Sequence, residues 1–180
     1  MIEMRMDGRK ALITGSSKGI GYASAANFMK AGADVAIVAR RADVLEEARA
    51  SLAREGRGKV VGIAGDVSKA EDCARIFATA EKELGRIDVL VNNAGTHQNG
   101  PFEAATDEIW QQDFDLKLFA AIRLSRAAFP AMKQRKWGRI VNVLNSGAKW
   151  QRYGSAPTSV TRAAGMALTK VLSNEGAEHN

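Results

Sequence analysis

The chain is poor in cysteine and has no long hydrophobic run. Its single cysteine, Cys73, excludes an internal disulfide and is typical of a helix residue in a reducing compartment. No stretch approaches the roughly 18 apolar residues of a membrane-spanning helix, and residues 1–9 carry charge where a secretory signal is apolar. The sequence therefore predicts a cytoplasmic protein without a membrane partner.

Aromatic residues are also scarce, at 6% of the chain. The formal net charge is +6, but the basic residues are scattered, and the densest run, residues 133–139, is typical of a solvated helix end followed by a turn. Because no basic stripe with interleaved aromatic residues is present, nucleic acid is not an expected partner. No metal site is predicted.

What the chain does contain is an alternation of apolar strand-like runs and helical segments. With 180 residues and 46% apolar content, we expect one domain over residues 1–180. The predicted strands cover residues 11–13, 35–38, 60–63, 87–91 and 140–144. The predicted helices follow the glycines at 19–21 and then cover residues 42–54, 68 or 69 to 84, 106–133 and 159–173, with Ser68 and Glu71 as a capping box and Gly85 as a stop. Strands joined by helical crossovers predict a doubly wound parallel α/β sheet with strand order 3-2-1-4-5.

The segment TGSSKGIG at residues 14–21 lies between the first strand and the first helix. Glycines permit a tight turn and close approach of a ligand, and the helix N-terminus that follows offers free N–H groups and a partial positive charge. This combination favours phosphate binding. On its own it is equally compatible with a purely structural turn.

Unusual residues also follow the next three strands. Arg40 and Arg41 end the second strand, Gly65-Asp66-Val67 ends the third, and Asn92-Asn93-Ala94-Gly95 ends the fourth. Ligands of doubly wound sheets bind beyond the carboxyl ends of the strands, so these groups should line one crevice. Four such ends fit a dinucleotide better than the alternatives, a mononucleotide or a phosphate alone.

These motifs resemble the short-chain dehydrogenase/reductase family. Its T-G-x-x-x-G-x-G pattern matches residues 14–21, its N-N-A-G matches residues 92–95, and the ordered match, with Asp66-Val67 and the segment GRIVN at 138–142, covers almost the whole chain. The resemblance implies pyrophosphate binding at the glycine turn, Asp66 against the adenine, and Asn92 and Gly95 on the cofactor wall. The implied cofactor-binding residues are Thr14, Gly15, Ser17, Lys18, Gly19, Ile20, Gly21, Asp66, Val67, Asn92, Ala94 and Gly95.

Cofactor choice depends on the end of the second strand. A carboxylate there would bind the ribose 2′-hydroxyl of NAD, whereas an arginine pairs with the 2′-phosphate of NADP. Arg40, with Arg41 beside it and Lys18 in the glycine turn, favours NADP(H) over NAD(H). The alternative is that both arginines are solvated residues that open the next helix.

The catalytic positions depart from the family's pattern. The resemblance implies a tyrosine that exchanges the proton, a serine that orients the carbonyl, a lysine that lowers the tyrosine pKa and an asparagine that supports a water relay. Aligned by their neighbours, these positions hold Thr158, Asn145 with Ser146 one residue later, Arg162 and Lys117. An aliphatic hydroxyl does not replace a phenol, and an arginine does not exchange its proton. Ordinary carbonyl reduction is therefore expected to be slow or absent.

Several side chains remain as candidates for the missing acid. Lys117 has a flexible stem that could reach the vacated site, and desolvation would make its ammonium a usable acid. The alternative is that Lys117 only replaces lost polar contacts. Tyr153 is a second candidate acid, although its surroundings indicate an ordinary loop, and His97 and Gln98 could face a substrate or lie in solvent.

Members of the family usually continue past the last helix into another strand, a substrate loop and a final strand. This sequence ends at Asn180, so we expect that region to be absent and the fifth strand to be a sheet edge. The family's long helices commonly pack between subunits, which predicts a homo-oligomer. The residues offered for that contact are Phe114, Leu118, Ala121, Ile122, Met166, Leu168 and Leu172.

Two functions follow from the sequence, with the substrate unknown. The first is an NADP(H)-dependent oxidoreductase that acts on a small carbonyl or alcohol through an altered proton donor. The second is a non-catalytic dinucleotide-binding regulator or scaffold. A weaker third possibility is a fragment that binds no nucleotide well.

Overall fold

The computed structural model describes residues 5–180; residues 1–4, part of the stretch compared above with a secretory signal, lie outside it. The strands are β1 (Lys10–Thr14), β2 (Asp34–Ala39), β3 (Val60–Ala64), β4 (Val89–Asn92), β5 (Asn99–Gly100), β6 (Arg139–Asn142) and β7 (Ala156–Pro157). Five of them form one sheet in the order β3-β2-β1-β4-β6, and every neighbouring pair is parallel. The predicted doubly wound sheet is therefore confirmed, with β6 as the expected fifth strand.

The short strands β5 and β7 form a separate antiparallel ribbon, which the sequence pattern did not predict. A strand of two residues is too short to show an apolar alternation. Its pairing depends instead on a partner that is distant in the sequence. This ribbon holds the loop after β4 beside the start of the last helix.

The helices are α1 (Gly19–Lys30), α2 (Ala42–Glu55), α3 (Ala70–Leu84), α4 (Asp107–Phe114), α5 (Ala120–Gln134) and α6 (Thr158–Gly176). The predicted long helix at 106–133 thus has its expected extent, and Thr106 caps it by accepting a hydrogen bond from the Ile109 N–H. However, one π-helical turn, Asp115–Phe119, interrupts it. A π turn shifts every later side chain around the helix axis, and such turns frequently occur at functional sites.

The start of α3 differs from the prediction. Ser68 does not cap the helix, which begins at Ala70; instead the Ser68 hydroxyl donates to the Asp66 carboxylate at 2.8 Å. The predicted capping box is therefore wrong, because a nearer carboxylate satisfies the serine. At the other end, Gly85 adopts φ +85° and ends α3 as expected.

The two faces of the sheet pack against different helix layers. In β1, Leu12 faces the cluster that contains α3 and α5, whereas Ala11 and Ile13 face the cluster that contains α1 and α2. All three side chains are fully buried. This alternation follows from the pleat of a strand, and it leaves the carboxyl ends of the strands as the accessible edge.

Cys73 lies in the first of these clusters. Burial raises the pKa of its thiol to about 11, and its Sγ donates to the Val67 carbonyl. A thiol with that pKa is almost entirely protonated near neutral pH, so Cys73 is a packing residue and not a nucleophile.

Across residues 5–180, none of the helices combines the length and apolar character that crossing a bilayer requires.

Strand β6 lies at one edge of the sheet. It pairs only with β4, so it is an edge strand of the described sheet. A groove of about 410 Å³ lies beside it, lined in part by Phe129 of α5 and Leu172 of α6.

Candidate cofactor crevice and active site

A crevice of about 640 Å³ lies beyond the carboxyl ends of β1 to β4. Nine of the predicted cofactor residues line it: Gly15, Ser17, Lys18, Arg40, Arg41, Asp66, Val67, Ala94 and Gly95. Thr14, Gly19, Ile20, Gly21 and Asn92 lie outside this lining. The groups at the four strand ends therefore do meet at one edge, as the parallel topology requires.

The glycine turn is tied to the loop after β4. The Thr14 hydroxyl accepts hydrogen bonds from the N–H groups of Asn93 and Ala94, both at 3.0 Å. In return, the Asn93 side-chain amide donates to the carbonyls of Thr14 and Gly15 at 2.9 and 3.0 Å. Thr14 is 2% exposed, so it joins the two walls of the crevice instead of facing a ligand.

Backbone conformation or close packing favours glycine at three positions of the turn. Gly15 and Gly19 adopt φ +62° and +61°, where a side chain is strained. A Cβ on Gly21 would lie 2.4 Å from the Gly15 carbonyl oxygen, so close packing excludes any side chain there. Ile20, predicted to contact the cofactor, is 66% exposed in the first turn of α1.

Three basic residues and one carboxylate line the adenosine end of the predicted site. Within residues 5–180, neither Lys18, Arg40 nor Arg41 forms a salt bridge with a carboxylate. Asp66 has one oxygen that accepts bonds from the N–H and hydroxyl of Ser68. The cations of the crevice are therefore available to an anionic ligand.

Asn92 is turned away from the crevice. Its side-chain amide donates to the Asn142 side chain at 2.9 Å and to the Ser125 hydroxyl at 3.3 Å, and it is 9% exposed. Its Oδ1 is buried and has no hydrogen-bond partner among the described residues. These contacts join β4 to β6 and α5, so the Asn92 side chain stabilises the packing behind the crevice wall.

Two of the substituted catalytic positions, Lys117 and Thr158, form a buried polar cluster with Asp113 and Thr161. Lys117 lies in the π turn with its side chain 1% exposed, and its ammonium contacts Asp113 Oδ1 and donates to Thr158 Oγ1 at 2.7 Å. The other carboxylate oxygen of Asp113 accepts from the Thr161 hydroxyl at 2.6 Å. Lys117 and Thr158, 41 residues apart in sequence, are thus in direct contact.

Thr158 lies between this cluster and the outside. Its hydroxyl donates to the Gln98 carbonyl at 2.7 Å and accepts from the Gln98 N–H at 3.1 Å. Lys117 contacts Thr158, the position aligned with the family's tyrosine, but its side chain is 1% exposed, so its role as the acid stays a prediction. The Thr158 hydroxyl therefore links Lys117 to the backbone of Gln98.

Opposing influences act on the charge of Lys117. Burial lowers the pKa of its ammonium and Arg162 lowers it further, while the adjacent Asp113 carboxylate raises it; the net direction is downward. A buried lysine that is drawn toward neutrality exchanges its proton more readily than a solvated one.

Arg162 occupies the space between the cluster and the cofactor crevice. It donates to the Val143 carbonyl at 2.9 Å, while its Nε is buried without a partner among the described residues. A Cβ on Gly95 would lie 2.5 Å from Arg162 Nη2, so a side chain there would require the guanidinium to move. Burial lowers the pKa of Arg162, but guanidinium still holds its proton at any ordinary pH.

A second cleft, of about 320 Å³, opens above Thr158. It brings together the predicted residues His97, Asn145, Ser146, Tyr153 and Thr158. Tyr153 is 95% exposed at its rim, and no hydrogen bond or charged partner in the described chain holds its phenol. Its place as a relocated acid stays a prediction, with Lys117 and Thr158 the better-positioned pair.

Sequence reasoning missed two residues of the site, Asp113 and Thr161, and it placed Asn93 in a motif without assigning its side chain a role. Asp113 precedes Lys117 by four residues, the spacing at which opposite charges meet on a helix, and that spacing was the available signal. Thr161 had no such signal, because its partner Asp113 is 48 residues away.

Comparisons with known proteins agree with this geometry. The profile of the short chain dehydrogenase family matches residues 9–180. The human protein dehydrogenase/reductase SDR family member 4 is 36% identical over 171 residues, which are 94% of this chain and 61% of that protein. The uncharacterized oxidoreductase YvrD of Bacillus subtilis is 34% identical over 169 residues, which are 94% of this chain and 63% of that protein.

Among solved structures, L-sorbose reductase of Gluconobacter frateurii, complexed with NADPH and L-sorbose, superposes with a TM-score of 0.95. It is 37% identical and covers 99% of this chain and 68% of its own. The chain spans less than two thirds of the length of the two curated relatives above. The profile match, the identities and the superposition together show that the chain belongs to the short chain dehydrogenase family of oxidoreductases.

Proposed function

We propose that this chain is an NADP(H)-dependent oxidoreductase that exchanges hydride between the nicotinamide and a small carbonyl compound or alcohol. The observation that carries the proposal is the proximity of two features on one sheet edge. One is a crevice whose cations Lys18, Arg40 and Arg41 form no salt bridge with any carboxylate of residues 5–180, and the other is a buried lysine that contacts a hydroxyl at the adjoining cleft.

The crevice residues fit a dinucleotide phosphate. Within the described part of the chain, a Cβ on Gly19 would meet no atom within 4 Å, and no side chain caps the N-terminus of α1. The first N–H groups of α1 therefore remain available for a pyrophosphate. Arg40 and Arg41 would hold the 2′-phosphate, and the NADPH in the solved L-sorbose reductase supports this choice.

Thr158, which lines the cleft, and Lys117, which lies behind it, would supply the proton. NADPH, when bound, supplies the hydride that reduces the carbonyl carbon. The Thr158 hydroxyl releases Gln98, gives its proton to the carbonyl oxygen and takes one from the Lys117 ammonium, so that an alcohol and a neutral Lys117 result. Lys117 then recovers a proton from solvent, and in alcohol oxidation the protons move the opposite way.

A second candidate function is a non-catalytic dinucleotide-binding regulator or scaffold. It is favoured by the bonds that Thr158 already makes, one donated to Gln98 and two accepted, which fill the capacity of a hydroxyl. A hydroxyl so engaged has to break a bond before it can protonate a substrate.

Arg40→Asp tests the cofactor site. We expect the variant to bind NADPH about 10- to 100-fold more weakly than the wild type, because it loses a charge-assisted phosphate contact, while NADH affinity stays the same or improves. Fluorescence titration with both nucleotides measures this. Arg54→Asp, the same charge change at the far exposed end of α2, is the matched control and should leave both affinities unchanged.

Turnover then separates the two functions. Oxidation of NADPH is followed with a panel of small aldehydes and ketones, and reduction of NADP⁺ with the matching alcohols. Turnover that depends on Lys117 supports the oxidoreductase, whereas saturable binding without turnover across the panel supports the regulator or scaffold. Failure to bind either nucleotide contradicts both.

We also propose that the chain forms a homo-oligomer through α5 and α6. Met166 is 38% exposed and Leu172 lines the groove beside β6, whereas Ala121, first assigned to this surface, is buried. Met166→Glu should shift sedimentation equilibrium toward monomer, because a charge in an apolar interface is costly. Lys170→Glu, on an exposed part of the same helix, is the control, and equal behaviour of the two variants would place the contact elsewhere.

A further inference from the structure

Asp113 is the most deeply buried carboxylate beside the candidate site. It is 1% exposed, and its two oxygens have separate partners, the Lys117 ammonium and the Thr161 hydroxyl. An isolated carboxylate at this depth would be strongly disfavoured, and these two partners offset the cost of its burial.

Asp113, Lys117 and Thr158 form a hydrogen-bonded chain. Asp113 lies on α4, Lys117 on the π turn that follows, and Thr158 at the start of α6. The carboxylate restrains the end of a side chain that otherwise has four rotatable bonds, and the restrained ammonium meets Thr158 Oγ1 at 2.7 Å. Thr161, one turn further along α6, holds the carboxylate in its own orientation.

We infer that Asp113 is a positioning residue, whose carboxylate keeps Lys117 charged and directed at Thr158. This inference rests on the proposed function in so far as the Lys117 proton is used in the reaction. Asp113 itself touches neither the crevice nor the cleft, so it acts only through Lys117.

Two charged groups act on Lys117 from the elements around it: Asp113 from α4 and Arg162 from α6. Burial and Arg162 both lower the Lys117 pKa, and Asp113 alone opposes them. Without the carboxylate, the pKa of Lys117 falls further. Carbonyl reduction needs the ammonium form of Lys117. Without the Asp113 carboxylate, the alkaline limb of the pH profile of reduction therefore moves to lower pH.

Asp113→Asn tests the inference, because it removes the charge with little change in size. We expect the alkaline limb of the reduction profile to move down by about one pH unit or more, as for the loss of an adjacent opposite charge. Asp115→Asn is the matched control, since Asp115 lies two residues on and bonds Gln111 and Arg123 instead of Lys117. An unmoved limb, together with a loss of stability, would mean that Asp113 is only structural.

A second readout does not depend on turnover. The ¹⁵N resonance of Lys117 Nζ, assigned by its absence in Lys117→Met, reports the charge of the ammonium directly. Its titration midpoint should fall in Asp113→Asn, stay in place in Asp115→Asn and recover at least partly in Asp113→Glu. A midpoint that is the same in Asp113→Asn as in the wild type overturns the inference.

The two readouts separate this inference from the proposed function. If the wild type shows no turnover and the midpoint still falls in Asp113→Asn, the oxidoreductase proposal fails and the role of Asp113 toward Lys117 stands. If Asp113→Asn does not fold, Thr161→Val replaces it, because this variant removes one hydrogen bond from the carboxylate. The same downward shift, but smaller, is then expected, and its absence overturns the inference.

Discussion

Lys117→Met is expected to lower carbonyl turnover by about 10²–10⁴-fold, the usual cost of removing a general acid. The methionine fills a similar volume but has no proton to deliver, and Thr158 then has no source from which to replace the proton it gives away. NADPH affinity should stay close to the wild-type value, because Lys117 does not line the cofactor crevice. Initial rates at saturating NADPH, together with a nucleotide titration of the same preparations, measure both quantities.

The same substitution also affects stability. It leaves the Asp113 carboxylate buried without its cation, which costs about 3–5 kcal/mol in the free energy of unfolding. Asp113→Leu/Lys117→Met removes both charges and should recover most of that stability without recovering turnover. The double variant therefore distinguishes a loss of catalysis from a loss of folding. Urea denaturation measures the free energy of unfolding of both variants.

One further variant, Thr158→Val, tests the path of the proton, and a second serves as the control. Thr158→Val should also lose turnover, because the structure places Thr158 between Lys117 and the cleft. Lys170→Met, at an exposed lysine of α6, is the matched control and should behave as the wild type. Wild-type turnover in Asp113→Leu/Lys117→Met would rule out Lys117 as the proton source.

Gly21→Ala is expected to have the second largest effect. The new Cβ would lie 2.4 Å from the Gly15 carbonyl oxygen and 2.6 Å from the Asn93 side-chain nitrogen. Neither group can move freely, because the Asn93 amide donates to that same carbonyl. We expect the free energy of unfolding to fall by about 1–3 kcal/mol, as in other overpacked sites, and NADPH affinity to fall at least about 10-fold.

Gly100→Ala is the control for this substitution. A Cβ there would meet no atom within 4 Å, so both stability and NADPH affinity should change little. Thermal unfolding and fluorescence titration of the two variants make the comparison. If Gly21→Ala matched Gly100→Ala in both measurements, the glycine turn would not be packed as described.

The arrangement of the sheet was accessible from the sequence because local signals and topology agree. Apolar runs such as 35–38 are short and bounded by breaking residues, and helical segments between them require parallel strands. Once the strands are parallel, their carboxyl ends must share one edge. For this reason Lys18, Arg40 and Asp66 were expected in one crevice, and all three line it.

The errors came from contacts that local patterns do not carry. Ser68 has the sequence of a capping residue, but the Asp66 carboxylate competes for its hydroxyl. The β5–β7 ribbon pairs residues more than fifty positions apart through two short strands. Asn92 and Thr14 belong to motifs that suggest ligand contact, yet each bonds neighbouring elements of the protein instead.

By itself, the sequence determined the doubly wound parallel sheet and the sheet edge at which the crevice lies, and it predicted that the tyrosine, serine, lysine and asparagine of the family are substituted. These follow from the apolar pattern and from the identity of single residues. Only the tertiary structure decided that Lys117 is buried, paired with Asp113 and separated from the cleft by Thr158. The reason is physical: the aim of a flexible side chain depends on partners that the π turn and the start of α6 bring within hydrogen-bond distance, and no local pattern encodes that distance.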